Sequence, residues 1–160
     1  MFSLSSLAQS GYKHLNLDAG INIDGNYSYN LGLEFNRASF NAWEISIQYH
    51  RSPFTAMDSI MVGEPPLSEL VKVEKIEEIF LAGIYYKPLI AKKKNLVYNF
   101  RYGLLLGTDR DFLLGAGAGF EATYHFPSLF AIFIRQSNHY IINIDDRFRH
   151  SINLGIKIPL

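Results

Sequence analysis

The chain has 160 residues, with 15 basic and 15 acidic side chains and no cysteine. This length fits one domain, the balanced charge gives no reason to expect direct nucleic-acid binding, and the missing thiols exclude disulfides and thiolate-bound metals. Apolar residues make up 48%, but charged residues interrupt every long run, so no stretch approaches the roughly 18–20 apolar residues of a transmembrane helix.

Two interpretations of the N-terminal segment, MFSLSSLAQS, stay open. It has no basic region and only a short apolar stretch broken by serines. Residues 1–9 are therefore either the remnant of a signal peptide cut near Ala8-Gln9 or a frayed terminus. In both cases residues 10–160 are expected to form a single β-barrel domain.

Apolar and polar residues alternate in three segments of the first third of the chain. In the first segment the odd positions from 15 to 23 are apolar, and the even positions between them are polar or small. A period of two is typical of a strand with one apolar face. It predicts strands at Lys13–Ile23, Tyr27–Arg37 and Ala42–Arg51, with a hairpin turn at Asp24-Gly25.

The next segment, Ser52–Lys75, shows no sustained period and contains three prolines and Gly63. It is predicted to be the longest connection in the chain. It holds more apolar residues than a solvated loop needs, which usually marks a contact with another molecule. The candidates for such a partner contact are Phe54, Met57, Ile60, Met61, Val62 and Leu67. The alternative is that they fold back over the mouth of the barrel.

Five more strands are predicted in the second half from the same alternation. They are Glu77–Lys87, Leu96–Gly107, the long stretch from Phe112 to Phe126, Leu129–Tyr140 and Arg149–Leu160. In the first of these, Phe80, Ala82, Ile84 and Tyr86 are predicted to face outwards. The connections are a basic turn at Pro88–Asn95, short turns at Thr108–Asp111 and Pro127–Ser128, and a charged loop at Asn143–Phe148. Alternate glycines in the long stretch, such as Gly117, are interpreted as making room for large side chains across the lumen.

These eight strands predict an all-β fold, an eight-stranded antiparallel up-and-down transmembrane β-barrel with a polar, side-chain-filled lumen. The decisive feature is that the apolar face carries almost no charge, whereas glycines and charged residues share the other face. We therefore expect the apolar face to meet the lipid of the bacterial outer membrane. The predicted lumen charge network comprises Asp18, Glu34, Glu44, Arg101, Glu121, Arg135 and Lys157, which must pair with one another when buried. Within it, Arg101 is the expected partner of Glu121, because it lies on the facing side of the neighbouring strand.

Motifs for catalysis or cofactor binding are absent: there is no Walker motif, GxSxG, HExxH or CxxC. No catalytic, cofactor-binding or metal-binding residue is predicted. One segment, Arg135-Gln136-Ser137-Asn138, resembles the His-x-Ser-Asn of eight-stranded outer-membrane lipid A deacylases. Arg135 occupies the position of the histidine, and a guanidinium cannot act as a general base. Ser137 would therefore lack its activator, although Asp145 or Asp146 could supply an acid.

Three stretches resemble the TraO family of Bacteroidota conjugative transposons. They are KPLIAKKKNLVYNFRYGLLLG from Lys87, FLLGAGAGFEATYHFPSLFAIFIRQ from Phe112 and FRHSINLGIKIPL from Phe148. The resemblance covers most of the chain from about Leu15. It implies an outer-membrane subunit of a DNA-transfer apparatus and brings no known catalytic residues.

Three functions remain as hypotheses at this point. The favoured one is a non-enzymatic, partner-binding barrel in an envelope assembly, whose partners are outer-membrane lipid and other envelope proteins. The second is a lipid A-modifying hydrolase or a degenerate relative of one. The third is a soluble barrel that binds a small apolar ligand.

Overall fold

The computed structural model describes residues 13–22, 27–37, 40–62, 67–109, 111–127, 130–142 and 148–160, with side chains left undescribed at positions 22, 52–71 and 74. The described residues form nine strands. They are β1 (Lys13–Asn22), β2 (Tyr27–Asn36), β3 (Ala42–Val62), β4 (Leu67–Lys87), β5 (Leu89–Lys93), β6 (Leu96–Asp109), β7 (Asp111–His125), β8 (Ala131–Ile142) and β9 (Phe148–Pro159). No helix among them has the length and hydropathy to cross a membrane.

The strands form one closed antiparallel sheet. Strands that follow one another in sequence pair with each other, except β4 and β5, and β1 pairs with β9 to close the cylinder. Both β4 and β5 pair with β6, so these two segments are a single barrel strand interrupted at Pro88. Proline has no N–H for the ladder, although its carbonyl accepts a hydrogen bond from the Phe100 N–H at 3.1 Å. The barrel therefore has eight strands, as predicted.

The two ends of the barrel are different. The backbone N–H of Leu160 donates to the carbonyl of Lys13 at 3.0 Å, so the first and last strands share one end, which we call the terminal end. At the opposite end β3 and β4 continue beyond the other strands. Their pairing runs without interruption from Ala42↔Lys87 to Val62↔Leu67. The projecting part, residues 52–62 and 67–77, is called the ribbon, and its side of the barrel the ribbon end.

The prediction of a long connection at Ser52–Lys75 is therefore wrong. The backbone of this segment is a two-stranded ribbon whose only undescribed residues are 63–66. A period of two appears in a sequence when the two faces of a strand meet different surroundings. The ribbon lies beyond both lipid and lumen, so the pattern that identified the other strands is not required here.

Three smaller boundaries also differ from prediction. The basic turn at Pro88–Asn95 contains strand β5, and the turn itself is Lys94-Asn95. At the ribbon end β6 extends to Asp109 and β7 begins at Asp111, which leaves room only for a tight reversal. Strand β8 begins at Ala131 and ends at Ile142, two residues later at each end than predicted.

Candidate functional site

The outer surface of the barrel is apolar. Leucine and isoleucine side chains near the middle of the strands are open to the surroundings; Leu104 and Leu154 are each 68% exposed. Charged side chains of the same strands are inside, where Glu44 is 0% and Arg101 1% exposed. A water-soluble protein buries leucine and exposes glutamate, whereas the opposite arrangement is that of a barrel surrounded by lipid.

Aromatic side chains mark both edges of this apolar belt. The exposed aromatic residues near the ribbon end are Tyr27, Tyr29, Phe80, Phe112, Tyr140 and Phe148, and those near the terminal end are Trp43, Tyr98, Tyr124, Phe126 and Phe130. Many contact an aromatic neighbour, as in the pair Trp43–Tyr86, whose ring centroids are 5.0 Å apart. Two such girdles are the usual limits of the membrane-spanning band of a β-barrel.

The lumen contains a compact ionic network, and Arg135 is one of its two centres. Its guanidinium donates to Asp18 at 2.9 Å, to Glu44 at 2.8 Å and to Glu121 at 2.7 Å. The strand register explains part of this arrangement, because Glu121 on β7 lies directly opposite Arg135 on β8. Each of these side chains is almost completely buried.

Lys87 is the second centre of the network. Its ammonium contacts Glu34, approaches Glu121 to 2.5 Å and lies 3.2 Å from Glu44. Lys157 contributes two further ion pairs, to Glu34 and to Glu121, both at 2.7 Å. With Lys87 included, the network has four carboxylates and four cations. It is thus neutral, as a buried cluster of charges has to be.

All seven predicted lumen charges belong to this network, but one predicted pairing is wrong. Arg101 was expected to neutralise Glu121, whereas it pairs with Glu44 at 2.9 Å and its guanidinium lies 3.1 Å from the centre of the Tyr85 ring. The ladder places Arg101 opposite Gly119 rather than opposite Glu121. Lys87 was missed, although the sequence contained the signal: Phe80, Ile84 and Tyr86 were predicted to face outwards, which puts odd positions of β4 in the lumen.

Asparagine amides donate further hydrogen bonds to the carboxylates. Asp18 accepts hydrogen bonds from Asn30 and Asn153, each at 2.7 Å. Asn16 donates to Glu34 at 3.2 Å and to Glu44 at 3.1 Å. Each of these carboxylates therefore has an amide donor as well as a cation, which stabilises its buried ionised form.

The lumen towards the ribbon end is partly apolar, which the sequence analysis did not predict. Buried residues of β4, β6, β7 and β8 form a cluster consisting of Ile79, Leu81, Tyr85, Leu105, Leu113 and Ile141. The Tyr85 hydroxyl connects this cluster to polar neighbours, because it accepts from Gln48 at 2.8 Å and lies 3.3 Å from Nε2 of His139. The described lumen is thus filled by paired charged side chains, with apolar side chains between them and the ribbon end.

A small polar gap remains beside this cluster. Its volume is about 10 Å³, and its lining includes His50, Ser137, His139 and Ser151. A space of this size accommodates about one water molecule. Among the described residues, no group of three histidine, aspartate or glutamate side chains is arranged to hold a metal ion.

The residues compared with the deacylase motif lie on two faces of β8. Arg135 and Ser137 face the lumen, where Ser137 is 4% exposed and Arg135 is held by three carboxylates. Gln136 and Asn138 are half-buried on the other face and hydrogen-bond to each other at 2.7 Å. The two candidate acids, Asp145 and Asp146, lie outside the described residues.

Comparisons with known proteins agree with this architecture. No protein-family model and no curated protein sequence matches the chain. Among solved structures, a barrel from a study entitled "De novo design of transmembrane beta-barrels" matches with a TM-score of 0.59 and 12% identity, over 94% of this chain and 96% of that one. A major outer membrane protein from Thermus thermophilus matches with a TM-score of 0.56 and 11% identity, over 95% and 100%. At these identities the likeness concerns the fold.

The closed barrel, its apolar outer belt and its polar interior define the class. The protein is a small transmembrane β-barrel of the outer-membrane type, and its predicted location in the bacterial outer membrane is confirmed. The finer resemblance to the TraO family is not confirmed by the comparisons and remains a prediction.

Proposed function

We propose that the protein is a non-enzymatic, partner-binding subunit of an envelope assembly and that the ribbon is its contact surface. The described lumen is filled by the ionic network and the apolar cluster. A function that needs an open passage therefore has little support. In a barrel with a filled interior, binding is expected at the ends, in the connections or on the lipid face.

The observation that carries the proposal is the projection of the ribbon. It contains eleven residue pairs, from Ser52↔Glu77 to Val62↔Leu67, and would reach roughly 35 Å if straight. Strand β2 pairs with β3 only as far as Arg51, and β6 pairs with β4 only from Phe80. Among the described strands the ribbon thus has two unpaired edges. A lone two-stranded ribbon is marginally stable in water, whereas addition of a partner strand would complete its hydrogen bonding.

The two arms of the ribbon differ in charge. Residues 67–77 contain five charged residues, a composition that discourages pairing along a sheet edge. Residues 52–62 contain only one, Asp58. This second arm also includes five of the six apolar candidates for partner contact, and the sixth, Leu67, pairs with Val62. We therefore infer that β3 provides the binding edge; the side chains of these candidates lie outside the described ones.

The resemblance to the TraO family suggests that the assembly is a conjugative apparatus. With the termini in the periplasm, the ribbon would project from the outer face of the membrane. Hydrolysis of lipid A is the weaker alternative. Ser137 is buried in the lumen, away from the lipid. Arg135, which stands in the position of the deacylase histidine, is bound to three carboxylates and cannot act as a general base.

The test is to remove the ribbon without disturbing the barrel. Replacing residues 53–76 with Asn-Gly keeps the pair Ser52↔Glu77 and the contact between Glu77 and Arg149. The shortened protein should still migrate as a folded, heat-modifiable barrel. In a detergent pull-down from native membranes it should no longer retain the envelope proteins that the intact protein retains.

A second change serves as the matched control. Replacing only residues 63–66 with Asn-Gly alters the same hairpin but retains both arms, and it should keep the partners. Loss of partners in both variants would point to the tip rather than to the β3 edge. Retention of all partners by the shortened barrel would overturn the proposal.

A further inference from the structure

The charges that do not belong to the lumen network are divided between the two ends of the barrel. Four basic and four acidic residues pair in the lumen, which leaves eleven of each. Seven of the eleven acidic ones lie in described strands, in the ribbon or at strand ends of the ribbon end. The other four, Asp24, Glu64, Asp145 and Asp146, lie outside the described residues, in connections between strands that end or begin there. The three connections at the terminal end, residues 37–41, 88–95 and 126–130, contain no aspartate or glutamate.

Five of the remaining basic residues lie at the terminal end, and all five are exposed. They are Lys13, Arg37, Lys92, Lys93 and Lys94. Among the described residues none of the five is within ion-pair distance of a carboxylate. The terminal end is therefore positive and the ribbon end negative, although the whole chain is neutral.

These basic residues are held on elements that contact one another. Asn41 accepts a hydrogen bond from the Leu89 N–H at 2.8 Å, which fixes the β2–β3 turn against β5. The Lys92 ammonium lies 3.7 Å from the centre of the Phe40 ring, and that of Lys13 lies 5.9 Å from the centre of the Phe35 ring. We call this group, running from β1 to the β5–β6 turn, the basic arc.

The turn that carries the lysines has a costly conformation. Lys94 has a φ of 52°, in the left-handed region that glycine and asparagine occupy more cheaply than lysine. Asparagine, a residue type that favours this conformation, stands one position further on, at Asn95. Placing a third consecutive lysine at such a position is consistent with a use for its charge.

The outer face next to the arc is a continuous aromatic surface. Trp43 contacts Tyr86, and the ring centroids of Tyr86 and Tyr102 are 5.8 Å apart. The ring centroid of Phe100 lies 5.7 Å from that of Tyr102 and 5.2 Å from that of Phe120. Aromatic girdles lie at the level where acyl chains meet headgroups. Basic residues just beyond such a girdle are at the level of the lipid phosphates, and their long stems allow the charged ends to reach them.

We propose that the basic arc and the aromatic surface together bind anionic phospholipids in the leaflet at the terminal end. The arc supplies ammonium and guanidinium groups to the phosphate, and the aromatic surface contacts the upper acyl chains. A lipid is favoured over an acidic protein because the cations are continuous with a surface that already faces the bilayer. The negative charge of the lipid phosphate complements the positive arc, because the connections at the terminal end contain no aspartate or glutamate.

The chain offers a direct probe, because Trp43 is its single tryptophan. It is 42% exposed on the outer face, beside Tyr86 and close to the arc. The protein is reconstituted in bilayers of phosphatidylcholine that contain a small fraction of brominated phosphatidylglycerol or, separately, brominated phosphatidylcholine. Since bromine quenches only nearby tryptophan, the ratio of quenching by the two lipids measures headgroup selectivity at this site. Both leaflets have the same composition, so the orientation of the barrel does not affect the result.

The expected result is stronger quenching by the anionic lipid, with a preference of about five-fold or more, because one basic residue at an anionic surface strengthens binding by about that factor. The preference should fall as salt is added. It should be largely lost in the triple variant Lys92→Gln, Lys93→Gln, Lys94→Gln. The matched control, Arg51→Gln, Lys72→Gln, Lys75→Gln, removes the same charge from the ribbon end and should keep the preference.

Heat-modifiable migration verifies that each variant is folded before quenching is measured. Equal quenching of the intact protein by both lipids would overturn the proposal. So would a preference that survives the triple lysine change, or one that the control abolishes equally. Binding of the arc to an acidic envelope protein, with no lipid preference at Trp43, would likewise replace this proposal.

Discussion

Lys87 and Arg135 are the two residues on which the lumen network depends most. Each contacts three of the four buried carboxylates. Removing one partner from a buried ionic cluster leaves an uncompensated charge that water solvates poorly. This loss destabilises the fold by more than the intact pair stabilises it. The network should therefore respond to single changes strongly and to paired changes weakly.

Replacing Lys87 with glutamine should destabilise the barrel by about 3–5 kcal/mol, because Glu34 and Glu121 lose a shared cation. The double variant Lys87→Gln, Glu121→Gln should be less unstable than the sum of the two single variants. Urea-induced unfolding in lipid vesicles, followed by gel migration, measures each free energy of unfolding. Lys72→Gln, at an exposed position of the ribbon, is the control and should change it by less than about 0.5 kcal/mol.

The same double-mutant comparison distinguishes the observed pairing from the one predicted by sequence. Arg101 and Glu121 are not in contact, so their coupling should be smaller than that of Lys87 and Glu121. A larger coupling between Arg101 and Glu121 would contradict the described network. Sequence alone identified seven of the eight charges of the lumen network, because that depends on alternation, and it missed Lys87. It did not identify the partners, because strand tilt brings together residues that are not opposite in the ladder.

At the scale of the element, β7 shows how one strand serves two environments. A Cβ added at Gly117 would lie 2.8 Å from Cδ2 of His139 and 2.9 Å from Cε1 of Tyr85. The prediction that alternate glycines make room for large lumen side chains is thus correct at this position. The adjacent residue, Ala116, faces outwards and is exposed.

Gly117→Val should destabilise the protein by about 1–3 kcal/mol, because the Tyr85 ring has to move from its place over Arg101. Ala116→Val, one residue away on the lipid face, should be nearly neutral. Valine has a higher β-propensity than either residue, and the gain is larger from glycine than from alanine. A lower unfolding free energy of Gly117→Val alone therefore reports the lumen packing. Equal effects of the two changes would show that Gly117 is not required for space.

The ribbon is the element whose secondary structure the sequence pattern predicts least well. Alternation identified every strand that separates lipid from lumen, but it gave no signal for strands that leave the barrel. The prolines and Gly63 in this region then favoured a loop. The apolar residues of this segment remain the basis of the proposed contact. The register places them on two paired strands rather than in an irregular connection.

For the whole molecule, the direction of the apolar face determines whether the barrel is stable in a membrane. Leu154 lies in the middle of β9, between Ala19 and Ile134 on the neighbouring strands. Leu154→Arg should cost roughly 2–4 kcal/mol, the usual penalty for a basic residue on the lipid face near the midplane. Leu154→Phe is the control and should fold normally. Undiminished folding of the arginine variant into vesicles would contradict the assigned face.

The architecture could be predicted because a transmembrane barrel requires the same simple pattern of each spanning strand. Eight alternating segments, an uncharged face and an even strand count followed from the residues alone. The apolar cluster around Tyr85 could not be predicted in this way, because Leu105 and Ile141 are apolar on a face that is otherwise polar. Function follows no such repeated rule. The two proposals made for this protein rest on the ribbon and the basic arc, whose arrangement is visible only in three dimensions.

Strand β9 allows a direct measurement of which face meets lipid and which face lines the filled lumen. Because the chain has no cysteine, spin labels can be attached at single cysteines introduced at positions 151 to 154 and 156, one at a time, in protein reconstituted in vesicles. Labels at Ile152, Leu154 and Ile156 should collide frequently with oxygen, which is concentrated in lipid, whereas those at Ser151 and Asn153 should be immobile and poorly accessible. The opposite alternation, or none, would contradict the account.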